Sequence, residues 1–230
     1  AGAAATAVAG AASRAMVTLR WVLSRAWWGP GVGTDPSRAD RVPPAPRPRP
    51  RIGVVRTTVE VQDLRRVFGP TVAVDGATWH AGAGRITAVL GPNGAGKSTT
   101  IECLEGLQRP DGGSARVLGV DPWGASAEHR ARVGVMFQDG GLPNTARPVP
   151  LLHHLASLYA APRPVDELVS RLGIGDFART PLRRMSGGQK QRVGLAAALV
   201  GNHEVVFLDE PTAGLDPHAR LDVWALIREV

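Results

Sequence analysis

From residue 54 onward the apolar positions switch between a two-residue and a helical period. Val59, Val61 and Leu64 lead one alternating stretch, and Val72, Val74 and Ala77 carry another up to Trp79. Alternation of this kind predicts antiparallel strands with one buried face. Phe68 closes the first stretch just before a Gly69-Pro70 turn. Arg85–Leu90, Ala115–Leu118, Val133–Phe137 and Val205–Leu208 read as further strands. Lys97–Leu107 carries Thr100, Ile101, Leu104 and Leu107 at helical spacing. Strands and helices in alternation predict an α/β domain, a parallel or mixed sheet with helices packed on it.

Between Asp139 and Met185 six prolines divide short helical segments, chiefly Val149–Ala160 and Val165–Leu172. Leu151, Leu152, Leu155 and Leu158 give the first an apolar stripe, so a small helical subdomain at about residues 139–186 is expected inside the α/β core. His153 and His154 are adjacent there. Neighbouring helical positions diverge by about 100°, which suits a surface or half-buried role better than chelation of one metal.

Residues 1–53 have a different character. Ala1–Ala12 is nearly all Ala and Gly, and Gly29–Pro50 is rich in Pro, Arg and Gly. Met16–Trp28 is apolar but interrupted by Arg20 and Arg25, short of the ~20 apolar residues of a spanning helix. A targeting peptide, an interfacial helix anchored by Trp21, Trp27 and Trp28, and disordered or pre-start sequence all fit this composition. The last is adopted, because the chain begins without Met, and the segment is set apart from the fold.

Charge follows the same division. The net charge is +7, and residues 1–53 hold eight Arg and two Asp, leaving +1 for the rest. The basic balance therefore belongs to the tail and gives no reason to expect nucleic-acid binding by the folded part. A single cysteine, Cys103, excludes a disulfide framework and suits a reducing compartment.

Three short stretches carry chemistry. Gly91–Thr99 (GPNGAGKST) fits the phosphate-loop pattern G-x-x-x-x-G-K-[ST], with a strand before it and a helix after it. Its glycines let backbone N–H groups converge on one anion, and the helix N-terminus adds about half a positive charge. Lys97 supplies a point charge for the β- and γ-phosphates, and the Ser98 hydroxyl is a magnesium ligand. Val205–Glu210 (VVFLDE) is a buried strand delivering two carboxylates to its C-terminal edge. Asp209 suits the magnesium held by Ser98, and Glu210 suits a water attacking the γ-phosphate. Ser186, Gly187, Gly188 and Gln189 open an Ala- and Leu-rich helix, as a second anion site or a simple N-cap. One domain binding one nucleotide has no use for two such sites, so the second is expected to serve a nucleotide bound by another copy.

In this order along the chain, the set resembles the ATP-binding cassette ATPases over Val54 to Val230. GPNGAGKST looks like their Walker A loop (Gly91, Pro92, Asn93, Gly94, Ala95, Gly96, Lys97, Ser98, Thr99) and VVFLDE like their Walker B strand. MSGGQKQR resembles the family signature, with Met185 where Leu is usual. The resemblance implies that Gln138 contacts the metal and the water, that Asp216 belongs to the dimer-interface D-loop, and that Phe68 stacks on adenine. The phrases around the loop and after Phe207 look most like the drug- and antibiotic-export branch.

The family continues with a strand ending in a switch His after the helix that here starts near Pro217. The chain ends at Val230, so it is expected to be C-terminally incomplete.

The resemblance thus implies a P-loop NTPase core with a mixed sheet, an N-terminal antiparallel β subdomain and an inserted helical subdomain. Its expected cofactors are ATP and Mg²⁺. Its expected partners are a separate transmembrane permease and a second nucleotide-binding subunit, commonly a homodimer, with no nucleic acid. Its expected place is the cytoplasmic face of the cell membrane, and its expected work is ATP hydrolysis coupled to export of a drug, antibiotic or lipid-like compound. Two other readings are a regulatory subunit that binds nucleotide without turnover, and a soluble ATPase acting on nucleic acid or ribosomes. The latter normally has a coiled-coil insertion or two cassettes, and neither is present.

Overall fold

The computed structural model describes residues 20–24, 57–137 and 141–229; Gln138 lies outside them, as does most of the segment set apart above. The described elements run β1 (Arg20–Ser24), β2 (Thr57–Phe68), β3 (Thr71–Gly82), β4 (Arg85–Val89), α1 (Lys97–Leu104), β5 (Gly112–Val117) and α2 (Ala127–Arg130). They continue with β6 (Val133–Met136), α3 (Pro148–Ala156), α4 (Val165–Arg171), α5 (Gly187–Leu199), β7 (Val205–Asp209) and α6 (Pro217–Glu229).

Two sheets result. β2 and β3 form the expected hairpin, turning at Gly69 (φ 54°), and β5 pairs antiparallel with the free side of β2. The other sheet has the order β4-β1-β7-β6, with β6 parallel to β7 and β1 antiparallel to both neighbours. This is the expected α/β architecture, a mixed sheet joined to an antiparallel β subdomain and a helical subdomain. β5, read as one of the alternating series, belongs to the antiparallel sheet instead.

Contrary to the expectation that residues 1–53 stand apart from the fold, Arg20–Ser24 forms a strand between β4 and β7. β4 and β7 run the same way with one strand's width between them, so both turn backbone N–H and C=O groups toward the gap. Buried groups of this kind are almost always paired. The RWVLS run supplies a strand's length of apolar and β-branched residues to pair them.

β7 is buried at all five positions and faces a different layer with alternate residues. Val205 and Phe207 join the core around β2, β5 and α1, whereas Val206 and Leu208 join the core of α3, α4, α5 and α6. This two-sided burial is why the strand reads as a continuous apolar run. Leu152, Leu168, Ile174, Leu195 and Leu226 are almost fully buried in the helical layer, and each such side chain contributes roughly 1.5–3 kcal/mol.

Two helices stop earlier than their patterns suggest. α1 ends at Leu104 because Gly106 takes φ 75°, and Leu107 is left 51% exposed. α3 ends at Ala156, before a stretch containing Pro162 and Pro164, and Leu158 is 65% exposed. His153 and His154 are both exposed on α3. The short α2, capped by Ser126 through a bond from the His129 amide, had no counterpart in the periodicity.

Candidate nucleotide-binding site

The loop from Gly91 to Gly96 joins β4 to α1 at the carboxyl edge of the mixed sheet. Gly94 and Gly96 have φ 82° and 74°, a region that side chains with a Cβ rarely adopt. Gly96 is also constrained from behind, since a Cβ there would lie 2.3 Å from the Ala73 carbonyl oxygen and 2.8 Å from Val74. The hairpin strand β3 therefore fixes where the loop enters the helix. Gly96 offers α1 no side-chain cap, so the first-turn N–H groups of an eight-residue helix face the loop's interior. Lys97 is buried, and its Nζ donates to the carbonyl oxygens of Gly91 at 2.8 Å and Pro92 at 2.6 Å. Its ammonium is thus held over the loop, while Asn93, Gly94, Ala95 and Ser98 are exposed and Thr99 is half-buried.

β1 sets the register between this loop and the second acidic element. Arg20 pairs with Val89 on one side and with Asp209 on the other, so those two residues stand level across β1. Two strand spacings make that a separation of about 10 Å. Asp209 is buried at the end of β7, near the level where β4 gives way to the loop. The buried Asp209 carboxylate and the exposed Ser98 hydroxyl are hard oxygen donors of the kind magnesium takes. That ion ordinarily uses one or two protein ligands together with phosphates and waters. Among the described residues no cluster of three or more His, Cys, Asp or Glu could hold a metal by itself.

Glu210 follows at the strand's exit, half-buried, with φ 47°. Its carbonyl oxygen accepts from the Ala213 amide at 2.9 Å and from the side-chain Nε2 of Gln191. The turn after it reaches Asp216, whose Oδ1 accepts from the Ala219 amide at 3.0 Å at the start of α6. Backbone N–H groups of Ala219 and His218, with Arg192 adding charge, hold the Asp216 carboxyl below its ordinary range.

Ser186–Gln189 starts α5 with a capping box: the Gln189 amide donates to Ser186 Oγ at 3.2 Å, and the Ser186 amide to Gln189 Oε1 at 3.0 Å. The side chains of both residues are thereby used locally. Gly187 has nothing within 4 Å of its missing Cβ, and Gly188 would meet the Gly214 carbonyl oxygen at 2.9 Å. Met185 is buried below the turn.

The candidate residues fall into two groups. The phosphate loop with Lys97 and Ser98 follows β4, whose last residue stands level with Asp209 across β1. Gly188 of the Ser186–Gln189 turn backs onto Gly214 in the loop that ends at Asp216. Glu210 sits where the groups meet. Phe68 stands at the end of β2, 42% exposed, with the Arg66 guanidinium 4.6 Å over its ring. Arg66 is fixed by Asp111 at 3.0 Å and by Gln108 at 3.0 Å, so one face of the ring is already occupied. Gln138 lies outside the described residues. The sequence assigned no role of their own to Arg66, Gln191 and Arg192, because each acts on a residue that only the fold brings near. Cys103 is fully buried in α1, and burial pushes its thiol up to about 11.

A family model described as ABC transporter matches residues 74–213. This chain belongs to the ABC transporter family. It is 41% identical over 175 residues to the daunorubicin/doxorubicin resistance ATP-binding protein DrrA of Streptomyces peucetius, which covers 74% of this chain and 53% of that protein. It is 36% identical over 181 residues to the methionine import ATP-binding protein MetN of Brucella abortus (strain 2308), covering 75% and 49%. The chain spans about half the length of the curated relatives it matches. Among solved structures, cbiO1 from Clostridium perfringens, part of the ABC transporter complex cbiONQ, matches with TM-score 0.62 and 31% identity, over 76% of this chain and 73% of that one. A bacterial Atm1-family ABC exporter with ATP bound matches with TM-score 0.63 and 26% identity, over 79% and 34%.

Proposed function

We propose that the chain is the ATP-hydrolysing part of a membrane transporter that exports a drug- or antibiotic-like compound. One observation carries the chemistry: the strand register stands the buried Asp209 level with the end of β4, where the phosphate loop starts, and Glu210 follows directly. Loop amides and Lys97 bind and orient the phosphates, which is most of what phosphoryl transfer asks of a protein. Ser98 and Asp209 would hold Mg²⁺, which when bound neutralises charge building on the phosphate oxygens. Glu210 orients a water and accepts its proton. Gln138, carried over from the family resemblance, assists with the metal and the water. Phe68 offers its free face to the adenine.

The turn Ser186–Gln189, exposed at Ser186 and Gly187, and Asp216 serve a second copy or a related subunit, so that two nucleotides lie between two such chains. The described residues include no helix long and apolar enough to cross a membrane. In this reading a separate permease forms the path and the chain sits peripherally on its cytoplasmic side. The higher identity to the daunorubicin/doxorubicin resistance protein than to the methionine import protein favours export.

The test is Glu210→Gln. The variant keeps shape and nucleotide binding but should lose ATP turnover by ~10²-fold or more, as removal of a placed base does. Turnover at the parent rate would sink the assignment.

A further inference from the structure

The first turns of α5 grip the segment from Glu210 to Asp216 at three points. Gln191 donates from Nε2 to the Glu210 carbonyl oxygen. Gly188 backs onto Gly214, so closely that a Cβ would come within 2.9 Å of the Gly214 oxygen. Arg192 reaches Asp216 Oδ2 and the Leu172 carbonyl oxygen, each at 3.5 Å. Among these, the Gln191 contact falls on a residue with a strained backbone. Glu210 is one of four non-glycine described residues with positive φ, at 47°. Such a conformation persists only where its surroundings over-determine it. The Ala213 amide, which bonds the same carbonyl, belongs to the turn itself and cannot anchor it from outside. Gln191 is half-buried on a helix whose other face is packed in the core, through Val193, Leu195 and Ala196.

We propose that Gln191 is a positioning residue that holds Glu210 in its left-handed conformation and so aims its carboxylate. Because Gln191 lies one turn from Ser186–Gln189, the orientation of Glu210 moves with the turn expected to meet a second copy's nucleotide. Closure on the partner's nucleotide is thereby reported to the chain's own base. The inference rests on the reading of Glu210 as that base.

The test uses the full chain. Gln191→Leu removes the donor at similar volume, and Gln191→Lys restores a donor without an acceptor. Loss of one hydrogen bond shifts a local opening equilibrium about tenfold. Amide hydrogen exchange across residues 210–216 should therefore quicken about tenfold in Gln191→Leu, with the C-terminal half of α5 unchanged. ATP turnover should fall about tenfold while ATP affinity stays within about twofold, the split expected when only the reacting geometry is disturbed. Gln191→Lys should recover both readings. In a Glu210→Gln background, adding Gln191→Leu should leave the residual turnover unchanged. The proposal is overturned by unaltered exchange at residues 210–216, by effects that Gln191→Lys does not recover, or by an equal fold-loss in the Glu210→Gln background. Parent-level turnover in Glu210→Gln alone would remove the base assignment, and the exchange measurement would still decide whether Gln191 holds the segment.

Discussion

A methyl group on Gly96 would sit 2.3 Å from the Ala73 carbonyl oxygen, whereas one on Gly187 would meet nothing within 4 Å. Both glycines lie at helix starts where backbone N–H groups point outward, and their surroundings differ in kind. The Gly91–Ser98 turn is shaped from behind by β3, by the left-handed φ of Gly94 and Gly96, and by the buried Lys97 ammonium. The Ser186–Gln189 turn is shaped by its own capping box and stands at the surface. A turn dictated by the fold can hold an anion by itself. A turn dictated by its own capping box leaves Gly187 open to something outside the chain, while Gly188 is backed by Gly214.

That contrast can be broken by substitution. Gly96→Ala should have the largest effect, with a loss of about 3 kcal/mol or more from clash and left-handed strain. Urea unfolding reads the stability, and nucleotide titration should show binding lost with it.

Acid should come next, acting on the sheet behind the first turn. His203 is buried, its Nδ1 bonded to the Ala131 carbonyl oxygen at 3.1 Å, with its ring in space left by Gly134 and Gly201. His129 is buried with no hydrogen bond to either ring nitrogen among the described residues. Burial lowers both imidazole pKa values; nearby Arg132 pushes His129 the same way and Glu204 opposes it. The unfolded chain then takes up more protons as pH falls through about 6.5. Stability should be full above that value and decline below it, by up to about 1.4 kcal/mol per pH unit for each histidine. Denaturant titrations between pH 5 and 8 measure this, and a flat profile would contradict it.

Ser186→Ala removes one half of the capping box and should cost about 1 kcal/mol, read from the unfolding midpoint. Gly187→Ala should be the mildest in stability, within about 0.5 kcal/mol of the parent. If it destabilised as much as Gly96→Ala, the distinction between an embedded and a surface turn would fall.

The phosphate loop, the acids Asp209 and Glu210 at the end of β7 and the α5 cap were legible because each is a contiguous run whose chemistry depends on neighbours in sequence. The hairpin of β2 and β3 was legible for the same reason. β1 was not, because what makes Arg20–Ser24 a strand is a gap between residues 85–89 and 205–209. Nor does the sequence show that β5 leaves the alternating series to pair with β2, a choice made by register and not by composition. The left-handed backbone of Glu210 breaks the local preference of its residue type, and its support from Gln191 arises only in three dimensions. Phe68 was correctly placed at a strand end, but the Arg66 guanidinium over it depends on Asp111 and Gln108, more than 40 residues away.

The central position of β1 also bears on how the protein is made. Arg20–Ser24 precedes its partner β7 by about 185 residues. At about 5–20 residues per second, the ribosome releases it roughly 10–40 s before that partner exists. Pairings between such distant segments are the slow ones, because a long loop must close first. The mixed sheet therefore cannot grow strand by strand behind translation. It closes late, when β7 emerges, and until then its earliest strand is an open edge in need of shelter.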